Sequence, residues 1–353
     1  MKILPRIRDK RLLAWLRPLL GVGILVWVFS KIPMEEFRAV LYDSLSHWPW
    51  WVLALAMTFL GLLAAAIRWH GLLAAQGVTL SPARVFRIFF IGQFFNSFLP
   101  GSCGGDVARA YYVFKETTLK RTEAVSTVLV DRGIGLLTIV VFCCLMIAGR
   151  VPTFLAYPWA KAAGLMMMVL LVGALIGAFL FFRRHVFETG AFYQRIETTT
   201  RLGPVIRKVY NAFYVYRHQP RALIRAALFS LGNLIGLTMA CYAFGQSLSL
   251  DVSIVDYFTL FPIITVLSAI PLTPGALGVR EGLFAELFAV AGARSAQAVP
   301  LSLMVYGGGL FWSLFGGFIF LSYSSSYGTS WRQEWKRLQE EHQRTLGGTA
   351  NRS

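Results

Sequence analysis

The stretch FFNSFLPGSCGGDVARAY, residues 94–111, decides how this chain is built. An apolar helical run beginning near Val85 reaches Pro100 and stops. Proline lacks a backbone N–H and cannot continue a helix, and Gly101, Gly104 and Gly105 permit backbone angles that other residues avoid. Asp106 and Arg109 follow, one helical turn apart and therefore on one face. The flanking sequence is that of a membrane protein, where broken backbone is tolerated only inside protein or beside a watery cavity. The chain then repeats itself at residues 272–282, LTPGALGVREG. Pro274, Gly275 and Gly278 are spaced as Pro100, Gly101 and Gly104 are, and a charged pair, Arg280 and Glu281, comes next. The two breaks read as the parts of one polar site within a membrane.

Working outward, 56% of the 353 residues are hydrophobic and only 14% charged, with a mean hydropathy of +0.59. A soluble domain carries about a quarter charged residues. Several apolar runs of about 18 residues or more place the chain in the all-α class, as a polytopic helical membrane protein. The net charge of +17 is diluted by too much apolar sequence for a nucleic-acid binder. It fits cytoplasmic loops obeying the positive-inside rule. Cys103, Cys143, Cys144 and Cys241 lack metal-ligand spacing and read as small apolar fillers, and the five histidines are scattered. No metal or other cofactor is expected.

Charge and length give a topology. Leu12–Ser30 is a first span, preceded by a basic terminus (MKILPRIRDKR) that reads as a retained span's flank rather than a cleaved leader. Residues 50–67 return inward and stop at Arg68, read as an interfacial anchor beside Trp69. Arg84 and Arg87 precede the run ending at Pro100, and Arg109, Lys115, Lys120 and Arg121 follow it. Both flanks are thus cytoplasmic, and the segment is a re-entrant hairpin. Residues 123–149 go outward and 160–182 return. The connection 183–225 holds nine basic residues against Glu188 and Glu197, the strongest orientation signal in the chain. Residues 222–245 go outward, 253–297 form a second hairpin from the opposite face, and 299–323 end inside before a basic tail, 331–353.

The expected architecture is about six full spans and two oppositely oriented hairpins. Residues 1–330 form a single transmembrane domain whose halves, 50–149 and 222–323, make an inverted repeat joined by the basic segment 183–225. Such folds bind substrate near the midplane, where broken helices meet. A helix restarting after Gly104 and Gly105 turns free N–H groups and a positive dipole end toward the cavity. The restart after Gly278 does so from the other side. Arg109, Arg132 and Arg280 add permanently charged donors suited to phosphate. Asp106, Asp131 and Glu281 orient those arginines or carry a coupling proton. The competing reading is that these charges pair among themselves and lock the hairpins to their neighbours. Asn96 is either a ligand or an interhelical hydrogen bond. The Gly307–Gly309 and Gly316/Gly317 groups suit close helix packing. No Ser-His-Asp arrangement or nucleotide fingerprint is apparent.

Arg68-Trp69, then GQFFNSFLPGSCGGDVARAY (92–111), VDRGIGL (130–136) and PLTPGALGVREG (271–282) resemble the lysylphosphatidylglycerol synthase transmembrane-region family, also called flippase-like. The resemblance runs from about residue 12 to residue 323. The matching motif positions are Asn96, Pro100, Gly101, Gly104, Gly105, Asp106, Arg109, Asp131, Arg132, Pro274, Gly275, Gly278, Arg280 and Glu281. In the multiple peptide resistance factors, a soluble aminoacyl-transferase follows this membrane part, and the membrane part is thought to flip the lipid that the transferase makes. Some free-standing relatives are associated with hopanoid transport and others are labelled glycosyltransferases. The resemblance implies translocation without the synthase activity, since no transferase domain is expected after the last span here.

The expectation is a non-enzymatic flippase or scramblase. It moves an anionic phospholipid, a hopanoid or a polyprenyl-linked lipid between leaflets. Its partners are membrane lipids and, in one variant of the reading, a lipid-modifying enzyme encoded elsewhere; nucleic acid is not among them. The expected location is a bacterial inner membrane, with both termini cytoplasmic. The alternative is a membrane-embedded glycosyl- or aminoacyl-transferase acting on lipid.

Overall fold

The computed structural model describes residues 34–98, 104–117, 120–152, 158–182, 214–270, 273, 276–325, 336 and 340. The expected first span Leu12–Ser30, the break residues Pro100, Gly101, Pro274 and Gly275, the basic segment 183–213, Cys103 and most of the tail lie outside these residues. Among the described residues the chain is helical and has no strand. The elements are α1 (Met34–Ser46), α2 (Trp48–Ala75), α3 (Pro82–Phe98), α4 (Gly104–Glu116), α5 (Arg121–Ala148), α6 (Pro158–Phe182), a 3-10 turn (Val215–His218), α7 (Pro220–Ser247), α8 (Ile254–Ser268), α9 (Val279–Val290) and α10 (Ser295–Ser325).

Helix length separates these elements into two kinds. At 28 residues each, α2, α5 and α7 are about 42 Å long, enough to cross a hydrocarbon core of about 30 Å. With α10 they are the four described helices both long and apolar enough to span a bilayer. By contrast α3 and α4, of 17 and 13 residues, reach only about 25 and 20 Å. The same holds for α8 and α9, of 15 and 12 residues. The order long, short, short, long therefore occurs twice along the chain. These lengths agree with the expected hairpins, though the number of spans is not fixed by them. One boundary differs: α2 does not stop at Arg68 but continues to Ala75, because Arg68 turns inward to protein partners rather than to water. The connection expected before Trp48 contains a helix, α1.

The chain groups into two compact units that cut across its helices. In the unit made of residues 1–59, 96–104 and 236–313, the core is aromatic. Tyr257 lies edge-on to Tyr242 and Phe288, at 5.3 and 5.2 Å between ring centroids, and Phe288 stacks on Phe284. Gly245 admits the Tyr257 ring: a Cβ there would sit 1.8 Å from its hydroxyl. Gly308 packs against Phe244 in the same way, while a Cβ at Gly307 or Gly309 would meet none of the described residues within 4 Å. Among the described residues, the middle member of that glycine group serves close packing.

In the unit made of residues 60–95, 105–235 and 314–353, Trp69, Leu72, Ile88, Phe90 and Tyr112 are fully buried. A Cβ on Gly316 would lie 2.0 Å from the Phe90 carbonyl oxygen, and one on Gly317 would strike the Phe94 ring. Here α10 meets α3 backbone to backbone, the contact that small residues make possible in membranes. The Tyr323 hydroxyl completes this seam by donating to Glu116 at the end of α4.

Candidate functional site

The restart at α4 begins the site. Gly104 and Gly105 open the helix and Asp106 stands in its first turn, where a carboxylate is favoured by the helix dipole. Arg109 follows one turn later. Its guanidinium Nη1 lies 3.8 Å from Asp106 Oδ1, but its shorter bond goes elsewhere. Arg109 Nη2 donates to Asp131 Oδ2 on α5 at 2.9 Å. The other oxygen of Asp131 accepts from Arg68 Nε on α2 at 2.7 Å. Arg68 Nη1 in turn donates to the Ser230 hydroxyl on α7 at 2.8 Å. Asp131 is 1% exposed, Arg109 5% and Arg68 8%. A carboxylate held between two guanidiniums can remain charged at such burial, whereas an isolated one could not.

Asp106 has its own second arginine. Arg132 Nε lies 2.9 Å from Asp106 Oδ1 and 2.8 Å from Oδ2, and its side chain remains 52% exposed. The sequence neighbours Asp131 and Arg132 therefore do not pair with each other. Consecutive helical residues point about 100° apart, so Asp131 faces Arg68 and Arg109 while Arg132 faces Asp106. Three guanidiniums thus share two carboxylates, leaving one positive charge uncompensated inside the cluster.

Aromatic rings and glycines shape the cluster. Arg109 lies over the Trp69 ring at 4.2 Å and near the Phe89 ring at 5.1 Å. Trp69 is fixed by donating its indole N–H to the Thr127 hydroxyl at 2.9 Å. At Gly92, a Cβ would stand 2.5 Å from Arg109 Cγ and 2.9 Å from the Gly105 carbonyl oxygen. Only a residue without a side chain lets α4 and its arginine approach α3 this closely. Gly135, one turn beyond Asp131, leaves room for Arg68, whose Nη1 would be 3.3 Å from a Cβ there.

The second restart is a smaller assembly. Gly278 adopts φ 82° at the N-terminus of α9, a left-handed angle that favours glycine. Its N–H donates to Glu281 Oε2 at 2.6 Å. Glu281 Oε1 accepts from Arg280 Nη2 at 2.6 Å and from the Ser302 hydroxyl of α10 at 3.2 Å. Ser302 itself accepts from Arg280 Nε at 3.1 Å, and the guanidinium stacks on Tyr306 at 4.4 Å. Glu281 has no exposed surface. The Thr273 hydroxyl closes the preceding turn by donating to the Leu277 carbonyl at 2.8 Å.

Of the residues singled out from sequence, Asp106, Arg109, Asp131 and Arg132 come together on α4 and α5, with Gly105 at the start of α4. Gly278, Arg280 and Glu281 come together at α9. Asn96, on α3, has a buried amide oxygen with no hydrogen-bond partner among the described residues. Arg68 is the main addition: the structure makes it a buried partner of Asp131, not an interfacial anchor. A signal was available in Leu72, Leu73, Ala74 and Ala75, which continue the apolar helix for two turns past it. Ser230, Ser302, Tyr306 and Gly92 carried no comparable signal. No group of histidine, cysteine and acidic side chains able to hold a metal ion occurs among the described residues.

Comparison with known proteins agrees with this architecture. The chain is 24% identical over 258 residues to a UPF0104 membrane protein of Methanothermobacter thermautotrophicus, covering 68% of this chain and 75% of that protein. It is 23% identical over 278 residues to a UPF0104 membrane protein of Pyrococcus horikoshii, covering 72% and 80% respectively. Residues 14–316 match the family described as the lysylphosphatidylglycerol synthase TM region. With the match spanning both helix breaks and every charged residue of the two clusters, this chain is a multi-pass membrane protein belonging to the lysylphosphatidylglycerol synthase transmembrane-region family.

Proposed function

We propose that this protein translocates a lipid with an anionic, phosphate-bearing headgroup between leaflets, in the manner of a flippase or scramblase. The observation that carries this reading is the unbalanced cluster of Arg68, Arg109 and Arg132 around Asp106 and Asp131. Ionisable groups among membrane helices are costly and mark substrate paths by default. Here the surplus is a guanidinium, and Arg132 is its accessible member. A phosphate passing this point can take bidentate donation from Arg132 while Asp106 remains held by Arg109. The acyl tails stay in the bilayer, so only the head crosses the polar region.

The carboxylates support transport over group transfer. Both oxygens of Asp131 accept from arginines, those of Asp106 face Arg109 and Arg132, and Glu281 is bonded to Gly278, Arg280 and Ser302. Acids so committed hold arginines and backbone in place; they are poorly set to take a proton from a substrate hydroxyl. The test is a leaflet-exchange assay in proteoliposomes with headgroup- or chain-labelled phosphatidylglycerol, phosphatidylcholine and a polyprenyl phosphate. Faster exchange of the anionic lipids than in protein-free vesicles is expected. Equal rates for every lipid in the panel would remove the proposal. The basic loops support a plasma-membrane location with both ends cytoplasmic as part of this proposal. Protease accessibility of a tag at residue 353 in right-side-out and inverted vesicles measures that orientation.

A further inference from the structure

A cavity of about 790 Å³ lies where α2 ends and α7 begins, within the size range of small-molecule sites. Its walls come from the last two turns of α2 and the first turns of α7. The two helix ends are tied at one level: the Gln219 side-chain amide donates to the Ala75 carbonyl at 2.8 Å, and the Tyr216 hydroxyl donates to the Leu72 carbonyl at 2.9 Å. Arg68, seven residues before Ala75, lies about 10 Å deeper along the helix. In a bilayer, helix ends of spans this long reach the headgroup layer, so the cavity runs from headgroup depth to the top of the acyl region.

Its lining is one-sided in charge. Arg68, His218, Arg221 and Arg225 contribute to it, and no carboxylate among the described residues does. Arg221 and Arg225 are exposed, in no ion pair among the described residues. Ala74, Ala226 and Phe229 give it apolar walls. Arg68 is shared: its Nε and Nη1 hold Asp131 and Ser230, while the same side chain borders the cavity. The basic segment 183–213 is a poor complement to such a lining, and an anionic amphiphile is a good one.

We infer that this cavity binds the phosphate headgroup of an anionic phospholipid, with Arg221 and Arg225 at its mouth, Arg68 at its floor and one acyl chain along Ala226 and Phe229. Basic pockets between helix ends at a membrane surface bind phosphate headgroups in this way. The inference rests on the proposed transport only in making this the loading site next to the buried cluster; occupancy is measured without transport.

The test uses the full chain purified in detergent and titrated with phosphatidylglycerol, bound lipid being counted by native mass spectrometry. Two variants probe the site. The double variant Arg221→Ala/Arg225→Ala removes the charges at the mouth. Gly71→Leu fills the cavity and keeps them, since a Cβ at Gly71 meets none of the described residues within 4 Å and leucine favours the helix. Phosphatidylglycerol affinity is expected to fall about tenfold or more in both, with phosphatidylcholine retention unchanged and inorganic phosphate unable to displace the lipid. Equal phosphatidylglycerol retention in the wild type and both variants overturns the inference, as does displacement by inorganic phosphate at the lipid's own concentration. Binding in the cavity without leaflet exchange in proteoliposomes upholds the site and removes the translocation proposal. Exchange at the wild-type rate in Gly71→Leu after binding is lost keeps translocation and overturns the loading site.

Discussion

At the restart of α4, three guanidiniums surround two carboxylates, drawn from α2, α4 and α5. At the restart of α9, one guanidinium meets one carboxylate, its immediate neighbour in sequence, and Ser302 closes the triangle. The same P-G-x-x-G spacing precedes both. The difference lies in what the acid does. Glu281 spends one oxygen on the Gly278 N–H and so fixes a left-handed turn and a helix start. Asp131 caps nothing and spends both oxygens on arginines that come from two other helices. The α9 assembly is a self-satisfied local lock. The α4 assembly is a long-range junction with positive charge to spare, and the proposed anion handling rests on it.

Removing the central charge of each assembly should break this comparison if it is wrong. Asp131→Asn keeps the shape, leaves Arg68 buried without its counter-charge and leaves Arg109 with Asp106 at 3.8 Å. Uncompensated buried charge costs about 3–5 kcal/mol. Glu281→Gln makes the same chemical change, but an amide oxygen at the Oε1 position can still accept from Arg280 and Ser302, and the bond from the Gly278 N–H is the one lost. Its cost should be nearer the loss of one charged hydrogen bond, about 1.5–3 kcal/mol. Thermal unfolding in detergent, followed by retention of the monodisperse peak, ranks the two. Equal losses would mean that Asp131 is no more a junction than Glu281 is.

The next smaller effect is steric. Gly92→Ala puts a methyl 2.5 Å from Arg109 Cγ and 2.9 Å from the Gly105 carbonyl. Backbone cannot yield as a side-chain tip can, so overpacking of about 1–3 kcal/mol is expected. Gly307→Ala is its control. None of the described residues lies within 4 Å of a Cβ at that position, and alanine should stabilise α10 by up to about 1 kcal/mol. The same unfolding measurement reads both, and opposite signs are expected. A Gly92→Ala variant as stable as wild type would show that Arg109 can move away from α3 without loss.

Much of this arrangement was legible beforehand, for identifiable reasons. Proline and glycine leave local marks, so the short helices on either side of residues 99–103 and 271–275 could be placed from sequence. The i, i+3 relation put Asp106 and Arg109 on one face, and they do share one. Partners across helices leave no such mark. Asp131 and Arg132 invite pairing because they are adjacent, yet helical geometry sends them to Arg109 and Arg68 on one side and to Asp106 on the other. Arg68 looked like the end of a span because a charge in an apolar run ordinarily stays at the water boundary. Its partner is 63 residues away in sequence, and only the packed structure supplies it. The packing glycines divided similarly: Gly316 and Gly317 do meet α3, and among the described residues Gly308 alone of its triplet meets a neighbour.

The smallest effect on stability should come from the residue on which the proposed transport most depends. Arg132 is half exposed, and its bond to Asp106 is screened by solvent. Such a pair contributes under about 1 kcal/mol, and Asp106 keeps Arg109 at 3.8 Å when Arg132 is gone. Arg132→Ala should therefore unfold within about a degree or two of wild type. In proteoliposomes, exchange of labelled phosphatidylglycerol should nonetheless fall about tenfold, the equivalent of some 1.4 kcal/mol lost from binding the headgroup. Arg132→Lys retains the charge but not the planar fork, so it should recover only part of that loss. Arg280→Ala supplies the opposite profile. It opens the Glu281–Ser302 triangle and leaves a buried carboxylate without its cation, so stability falls first and transport falls with it. If Arg132→Ala instead loses stability as Arg280→Ala does, with exchange per folded molecule unchanged, the surplus charge at α4 is a structural tie, and the two restarts differ in size but not in kind.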